Sequence, residues 1–195
     1  MMSKNQLRLR LALCAGSFAG GLLFSSVASA DEATLRFKGG IGVIPVSSFV
    51  NCPATNPCAI PGTGQNPVAV NRNIIRGVPP PGQIWVIDDL DARIGPKGNI
   101  TVRGKGLILA GGDNTGRAPT PALSVFASLF CGAPTAPTES RTGSAGVVLP
   151  PNGDFEIHDV LSPVPPTSCT NPMLLIRTTA TGNAWFAAGI VANDH

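Results

Sequence analysis

The stretch IWVIDDLDARI-GPKGN-ITVRGKGLILA, residues 84–110, decides how this chain folds. Its even positions Ile84, Val86, Leu90, Ala92 and Ile94 are apolar, and so are Ile100, Val102 and Ile108 beyond the Gly/Pro/Asn turn. A period of two is the mark of strands, and two such runs around a short polar turn predict a hairpin. Placing Ile94 opposite Ile100 sets Ala92 against Val102 on one face. The other face then pairs Arg93 with Thr101, Asp91 with Arg103 and Asp89 with Lys105. A slip of one residue destroys both the apolar and the charge matching, so the register is strongly specified. Gly104 and Gly106 fall opposite Leu90 and Asp88, which predicts a bulge or a close backbone approach there.

Outward from this hairpin the same pattern recurs. Ala145–Leu149, the turn PPNGD and Phe155–Leu161 predict a second hairpin with Leu149 facing Phe155 and Val147 facing Ile157. Met173–Ala180 and Ala184–Val191 predict a third, in which Gly182 or Asn183 takes the left-handed conformation of a three-residue loop. Both faces of that third hairpin are apolar, so it is expected at the centre of the sheet. Thr34–Phe37, Ile41–Val46, Asn73–Val78 and Ser124–Cys131 are further predicted strands. Residues 51–72, 79–82, 111–121, 132–144 and 162–172 read as loops, and the proline clusters at 79–81 and 163–166 as stiff connections within them. No segment beyond residue 30 keeps a helical period. The expected fold is all-β: an antiparallel β-sandwich, or alternatively a β-barrel, of about 9–10 strands.

Residues 1–30 read as a cleaved signal peptide. Lys4, Arg8 and Arg10 form a basic head, Leu11–Phe24 an apolar middle, and Ala28-Ser29-Ala30 the small-residue site before Asp31. The apolar run is broken by glycines and is shorter than the roughly 20 residues a spanning helix needs. Acylation of Cys14 fits poorly, because bulky Leu13 precedes it. Residues 31–195 are then one disulfide-bonded β domain, large enough for a single core.

The leader also owns the charge excess. Three of the 14 basic residues lie in it and none of the 11 acidic ones do, which leaves 11 against 11. No Lys/Arg cluster stands out along the remaining sequence, so neither nucleic acid nor an anionic membrane is an expected partner. No membrane span is expected after signal cleavage; an envelope or surface protein is the partner class the reading leaves open. Tyr is absent, which argues against the usual aromatic sugar- or protein-binding face, although Trp85 and Trp185 remain.

Cys52, Cys58, Cys131 and Cys169 are an even set in an exported chain and read as two disulfides. Of three possible pairings, Cys52–Cys58 with Cys131–Cys169 is preferred, the first closing the loop CPATNPC. A zinc site would need closer cysteine pairs and more than the two histidines His158 and His195.

The sequence assigns no catalytic residue, no cofactor and no metal. Its weak candidates are four. Asp88, in the run Asp88-Asp89-Leu90-Asp91, points inward by parity and would need a partner there. Asp154, Asp159 and His158 complete the set; adjacent strand residues face opposite ways, so His158 and Asp159 should not form a base–acid pair. The segment Thr142–Gly146 lacks the first glycine of a nucleophile elbow. The glycines of Gly39–Gly42 and Gly104–Gly106 read as strand bends, not phosphate loops, since no helix follows.

The segments 35–42, 82–87, 106–112, 152–155, 174–177 and 185–190 (LRFKGGIG, GQIWVI, GLILAGG, NGDF, LLIR and WFAAGI) resemble a group of small exported bacterial proteins of unknown function. The resemblance implies a bacterial, exported protein and transfers no catalytic residue or ligand. The expected role is a non-enzymatic binding, envelope or surface component. The rivals are a metal-assisted or acid/base extracytoplasmic enzyme and a fimbrial-type structural subunit.

Overall fold

Alternating side chains need two surroundings, and a sheet that curls on itself supplies both. The computed structural model describes residues 35–44, 48–49, 67–68, 73–119, 121–180 and 183–192. It is all-β, with no helix among the described residues. The strands are β1 (Leu35–Gly42), β2 (Ser48–Phe49), β3 (Pro67–Val68), β4 (Trp85–Val86), β5 (Asp89–Ile94), β6 (Asn99–Lys105) and β7 (Ile108–Leu109). They continue as β8 (Ser124–Cys131), β9 (Thr138–Arg141), β10 (Val147–Val148), β11 (Phe155–Val160), β12 (Met173–Arg177) and β13 (Trp185–Val191). One antiparallel sheet runs in the order β10-β8-β12-β13-β1-β5-β6-β11, with β9 also on β8; β2–β3 and β4–β7 are separate ribbons. The main sheet is nearly closed and barrel-like, consistent with the expected all-β sandwich or barrel.

The first hairpin has the predicted register at every position: Asp89 faces Lys105, Leu90 Gly104, Asp91 Arg103, Ala92 Val102, Arg93 Thr101 and Ile94 Ile100. Leu90, Ala92, Ile94, Ile100 and Val102 are buried, with Phe37 of β1 and Ile157 of β11 beside them. Beyond Asp88 the hairpin does not continue straight. Asp88 still donates its N–H to the Lys105 carbonyl at 3.0 Å, but Gly106 has φ +64° and Leu107 donates to the Gly153 carbonyl instead. The far end becomes the separate β4–β7 ribbon, in which Trp85 and Leu109 are buried and Val86 is exposed; just outside it Leu107 is buried and Ile84 exposed. The even-position rule therefore holds for residues 89–105 and reverses outside them, because the bend resets the phase of the pleat.

The second predicted hairpin does not pair with itself. Val147 faces Val125 of β8, and Phe155–Val160 face Gly104–Asn99 of β6. Consecutive Pro150 and Pro151 follow Leu149 directly, and neither has an N–H for a ladder. The N–H of Leu149 goes to Leu123 and the carbonyl of Pro151 accepts from Ala118, so the turn leans away from β11. Strands β10 and β11 are consecutive in sequence yet are the two ends of the sheet, and between them lies the seam of the barrel. The seam is fastened at one end by the reciprocal bridge of Arg141 and Ser162 (3.1 and 2.9 Å).

The third hairpin forms as expected, with Asn183 at φ +60° and a bulge between Ile176 and Arg177. β8 and β12 are buried on both faces from Val125 to Cys131 and from Leu174 to Arg177. Thr34–Phe37 and Ile41–Val46, expected as two strands, are largely one strand, Leu35–Gly42, with an irregularity at Gly39 (φ +83°). Asn73–Val78 is a tight turn closed by an Ile75–Val78 bridge, with Arg76 and Gly77 both at positive φ. Thr138–Arg141, expected within a loop, is β9. The Cys131–Cys169 disulfide is present, spanning 38 residues; Cys52 and Cys58 lie outside the described residues, as do the leader and His195.

Candidate functional site

Asp88 is exposed, contrary to its expected inward direction. Val86 and Asp88 share a face only if one straight strand holds both, and the bend between β4 and β5 breaks that continuity. The Asp88 carboxylate rests against Gly106, where any side chain would overlap it. Asp154 comes to the same glycine: its Oδ1 accepts the Gly106 N–H at 3.0 Å and its Oδ2 accepts from Asn152 Nδ2 at 2.8 Å. Two carboxylates thus flank the bend. No cluster of three His, Cys, Asp or Glu groups suited to a metal ion occurs among the described residues.

Asp159 is a brace on the seam. Its Oδ2 accepts the Gly143 N–H at 2.9 Å from the β9–β10 side, and its Oδ1 accepts from Val160 N at 2.7 Å. His158 points the other way, as expected, onto the outer face. There its Nε2 lies 3.0 Å from Glu156 Oε1 and its Nδ1 3.4 Å from Thr101 Oγ1. The acid beside His158 is therefore Glu156, two residues away on the same face. The i, i+2 spacing of Glu156 and His158 along a strand is the sequence signal for this pair. The four candidates do not form one site: Asp88 and Asp154 share Gly106, Asp159 holds the seam, and His158 joins a surface network.

That network lies on the outer face of β5, β6 and β11, with β1 beside it. Arg103 Nε binds Glu156 Oε1 at 2.6 Å, so the expected Asp91–Arg103 ion pair is replaced by a pair with the next strand; Asp91 lies 3.6 Å from Arg93 instead. The Arg103 hydrogen bond, followed by that of His158, holds the Glu156 carboxyl below the usual glutamate range. The same Glu156 bond raises the Arg103 guanidinium. All these groups are largely exposed, so their contribution to stability is small.

The registers line the face into two rows. Arg36, Arg93, Thr101 and His158 lie side by side across four strands, and Lys38, Asp91, Arg103 and Glu156 form the next row. The second row alternates in sign. The first contains no acid.

A buried charge that the sequence reading passed over sits on β12. Arg177 is 7% exposed; it binds Glu139 Oε1 at 2.7 Å, Ser128 Oγ and the Asn183 carbonyl each at 3.1 Å, and lies 5.4 Å from the Phe126 ring centre. Burial lowers its pKa, against the pull of Glu139. An Arg in a strand apolar on both faces was the available signal. Clefts among the described residues include an open one of about 360 Å³ between Arg103, Lys105, Asp154 and Glu156 and two lined largely by apolar groups. One, of about 340 Å³, lies beside the stacked Trp85 and Phe186 rings (centroids 4.2 Å apart) and is rimmed by Pro81, Pro119, Pro121 and Gln83. The other, of about 260 Å³, lies between the Gly95-Pro96 turn and Pro165–Cys169.

Fold and site together define a disulfide-braced, antiparallel, barrel-like β protein with a charged outer sheet face. No protein-family model matches the chain, and no curated protein or solved structure does either.

Proposed function

We propose that this chain is an exported, non-enzymatic binding component of a bacterial envelope or surface, with the barrel as a rigid scaffold. One observation carries the reading: the acids that could do chemistry hold the fold together instead. Asp154 fixes the bend at Gly106 and Asp159 fixes the seam at Gly143, each through backbone N–H groups. The Cys131–Cys169 bond supports an oxidising compartment, and the Ala28-Ser29-Ala30 sequence supports export. No helix among the described residues is long and apolar enough to cross a membrane.

Expression of the whole chain in a bacterial host, with mass measurement of the periplasmic product, tests the export; a product starting at Asp31 is expected, and cytoplasmic retention of the full-length chain contradicts it. The acid/base or metal-assisted enzyme is the competing outcome. Substitution of Asp154 and Asp159 by Asn is expected to lower the melting temperature, whereas a stoichiometric metal bound at those carboxylates would reverse the ranking. The fimbrial-type reading draws on the seam, since β10 and β11 share no ladder among the described residues. It requires polymers or strand exchange between chains, and size-exclusion chromatography separates it from a monomeric scaffold.

A further inference from the structure

We infer that the outer face of β1, β5, β6 and β11 binds an anionic polysaccharide, with Arg36 and Arg93 as its main contacts. The inference rests on the binding-component reading and names the partner class.

The cations concerned are scattered in the sequence at positions 36, 38, 93, 103 and 105, so no basic cluster is visible there. Antiparallel register gathers them on one surface. Arg36 and Lys38 of β1 sit opposite Arg93 and Asp91 of β5, and Arg103 and Lys105 follow on β6. Three carboxylates share the face and all are placed against cations: Asp91 by Arg93, Glu156 by Arg103 and His158, and Asp89 opposite Lys105. Asp91 is shared between Lys38 opposite it and Arg93 beside it, and among the described residues no acid is paired with Arg36, so the cationic excess lies along the row of Arg36, Arg93, Thr101 and His158.

Arg36 directly opposite Arg93 is the telling pair. Like charges at a cross-strand position are unfavourable, and an exposed strand surface is where they are most easily replaced. An anion lying between the two guanidiniums turns this repulsion into a bidentate clamp, the geometry for which arginine is suited. Neighbouring strands are about 4.8 Å apart, so an extended polymer crossing them meets Arg36, Arg93, Thr101 and His158 in turn.

The chemistry of the face selects among polyanions. No Phe or Trp projects from it: Phe37 and Phe155, on these same strands, are buried. Single-stranded nucleic acid binds by base stacking on such rings, and duplexes by dense phosphate neutralisation, which Asp89, Asp91 and Glu156 would oppose. A bilayer surface has the same conflict with those acids. For a carbohydrate they are an asset, because carboxylates accept hydrogen bonds from sugar hydroxyls while the arginines take the acidic groups. Recognition by charge and hydroxyl contacts also fits a chain without tyrosine.

The test uses the mature protein with alginate as a polyuronate, dextran sulfate, neutral dextran, a thymidine oligonucleotide and phosphatidylglycerol vesicles, at several salt concentrations. Binding to alginate or dextran sulfate that weakens with salt, with none to dextran, is expected. Arg36→Gln with Arg93→Gln should weaken it about tenfold, as expected for two exposed charge contacts, and the Lys double variant, which keeps the charge and loses the bidentate geometry, should recover only part of it. Arg36→Glu is the discriminating variant: it should raise the melting temperature by relieving the like-charge pair while it abolishes binding. A purely structural Arg36 would not separate the two. Binding unchanged in the Gln variants overturns this site while leaving the binding-component reading intact. Tighter binding of the oligonucleotide or vesicles than of either polysaccharide overturns the partner class. No binding of any of these polyanions by the wild-type protein overturns the inference altogether.

Discussion

The segments 89–105 and 147–160 look alike as sequence and behave in opposite ways. Each places alternating apolar residues on both sides of a turn of Gly, Pro and Asn. The first closes on itself in a six-pair register. The second splits, one arm to β8 and the other to β6, and its turn spans the two ends of the whole sheet. The difference lies in the turns. Gly95-Pro96-Lys97-Gly98-Asn99 keeps its ladder bonds, with Gly95 N–H on the Asn99 carbonyl at 2.9 Å and Gly98 N–H on the Gly95 carbonyl at 3.0 Å. Pro150-Pro151 removes two donors in succession just where a ladder would start. Alternation states which face a residue takes; the available N–H groups state which neighbour it takes.

The largest expected effect concerns the crosslink whose loop encloses the second segment. The Cys131–Cys169 bond ties the end of β8 to the loop before β12, across 38 residues. Reduction, or the double Ser substitution, is expected to cost about 3–4 kcal/mol on the loop-entropy account, read as a drop of about 10 °C in melting temperature. An unchanged midpoint would show that the loop is held by other means.

The two turns themselves can be compared directly by glycine replacement. Gly98 (φ +83°) and Gly153 (φ +77°) both occupy the left-handed region. A Cβ on Gly98 would meet the Pro165 ring at 3.1 Å, whereas on Gly153 it would strike the Leu107 backbone. Gly153→Ala is therefore expected to cost about 3 kcal/mol and Gly98→Ala about 1–2 kcal/mol by denaturant unfolding. Equal costs would remove the distinction between a turn that meets a proline side chain and one wedged against the Leu107 backbone.

Removal of the Arg177 partner is next in size. Glu139→Gln leaves a largely buried guanidinium short of its counter-charge; about 2 kcal/mol of destabilisation is expected, discounted because the Glu139 side chain is 37% exposed. A double variant that also replaces Arg177 with Met should recover part of the loss.

The smallest effect belongs to the outer face of the self-pairing hairpin. Glu156 titrates below the usual range because of Arg103 first and His158 second. A carboxyl whose folded pKa is depressed adds stability above its unfolded pKa and loses it as pH falls through the folded value. The contribution should fade only in acid. Arg103→Gln should return the Glu156 carboxyl resonance toward its ordinary titration, and an unshifted titration would mean the 2.6 Å contact is not held in solution.

How much was legible follows the same line. Residues 89–105 were readable to the register because both faces carry information, apolar inside and charge outside. The assignment failed at Asp88 and at Ile84, Val86 and Ile108 because a glycine bend resets parity, and periodicity has no term for a bend. Ser124–Cys131 was readable as a strand from its apolar run, but Thr138–Arg141 was not, since TESR looks like loop and becomes β9 only through pairing with β8. The basic row was illegible for a third reason: Arg36 and Arg93 are 57 positions apart, and only the placement of β1 beside β5 makes them neighbours.

The closing of the sheet by β11 on β6, with β10 left on β8, is the claim on which both the scaffold and the charged face depend. Cross-strand proton contacts of Ile157 measured by NMR on the isotope-labelled mature protein test it most directly. Contacts from Ile157 to Val102, together with contacts from Val147 to Val125, are the expected result. A ladder of contacts between Val147 and Ile157 would contradict it.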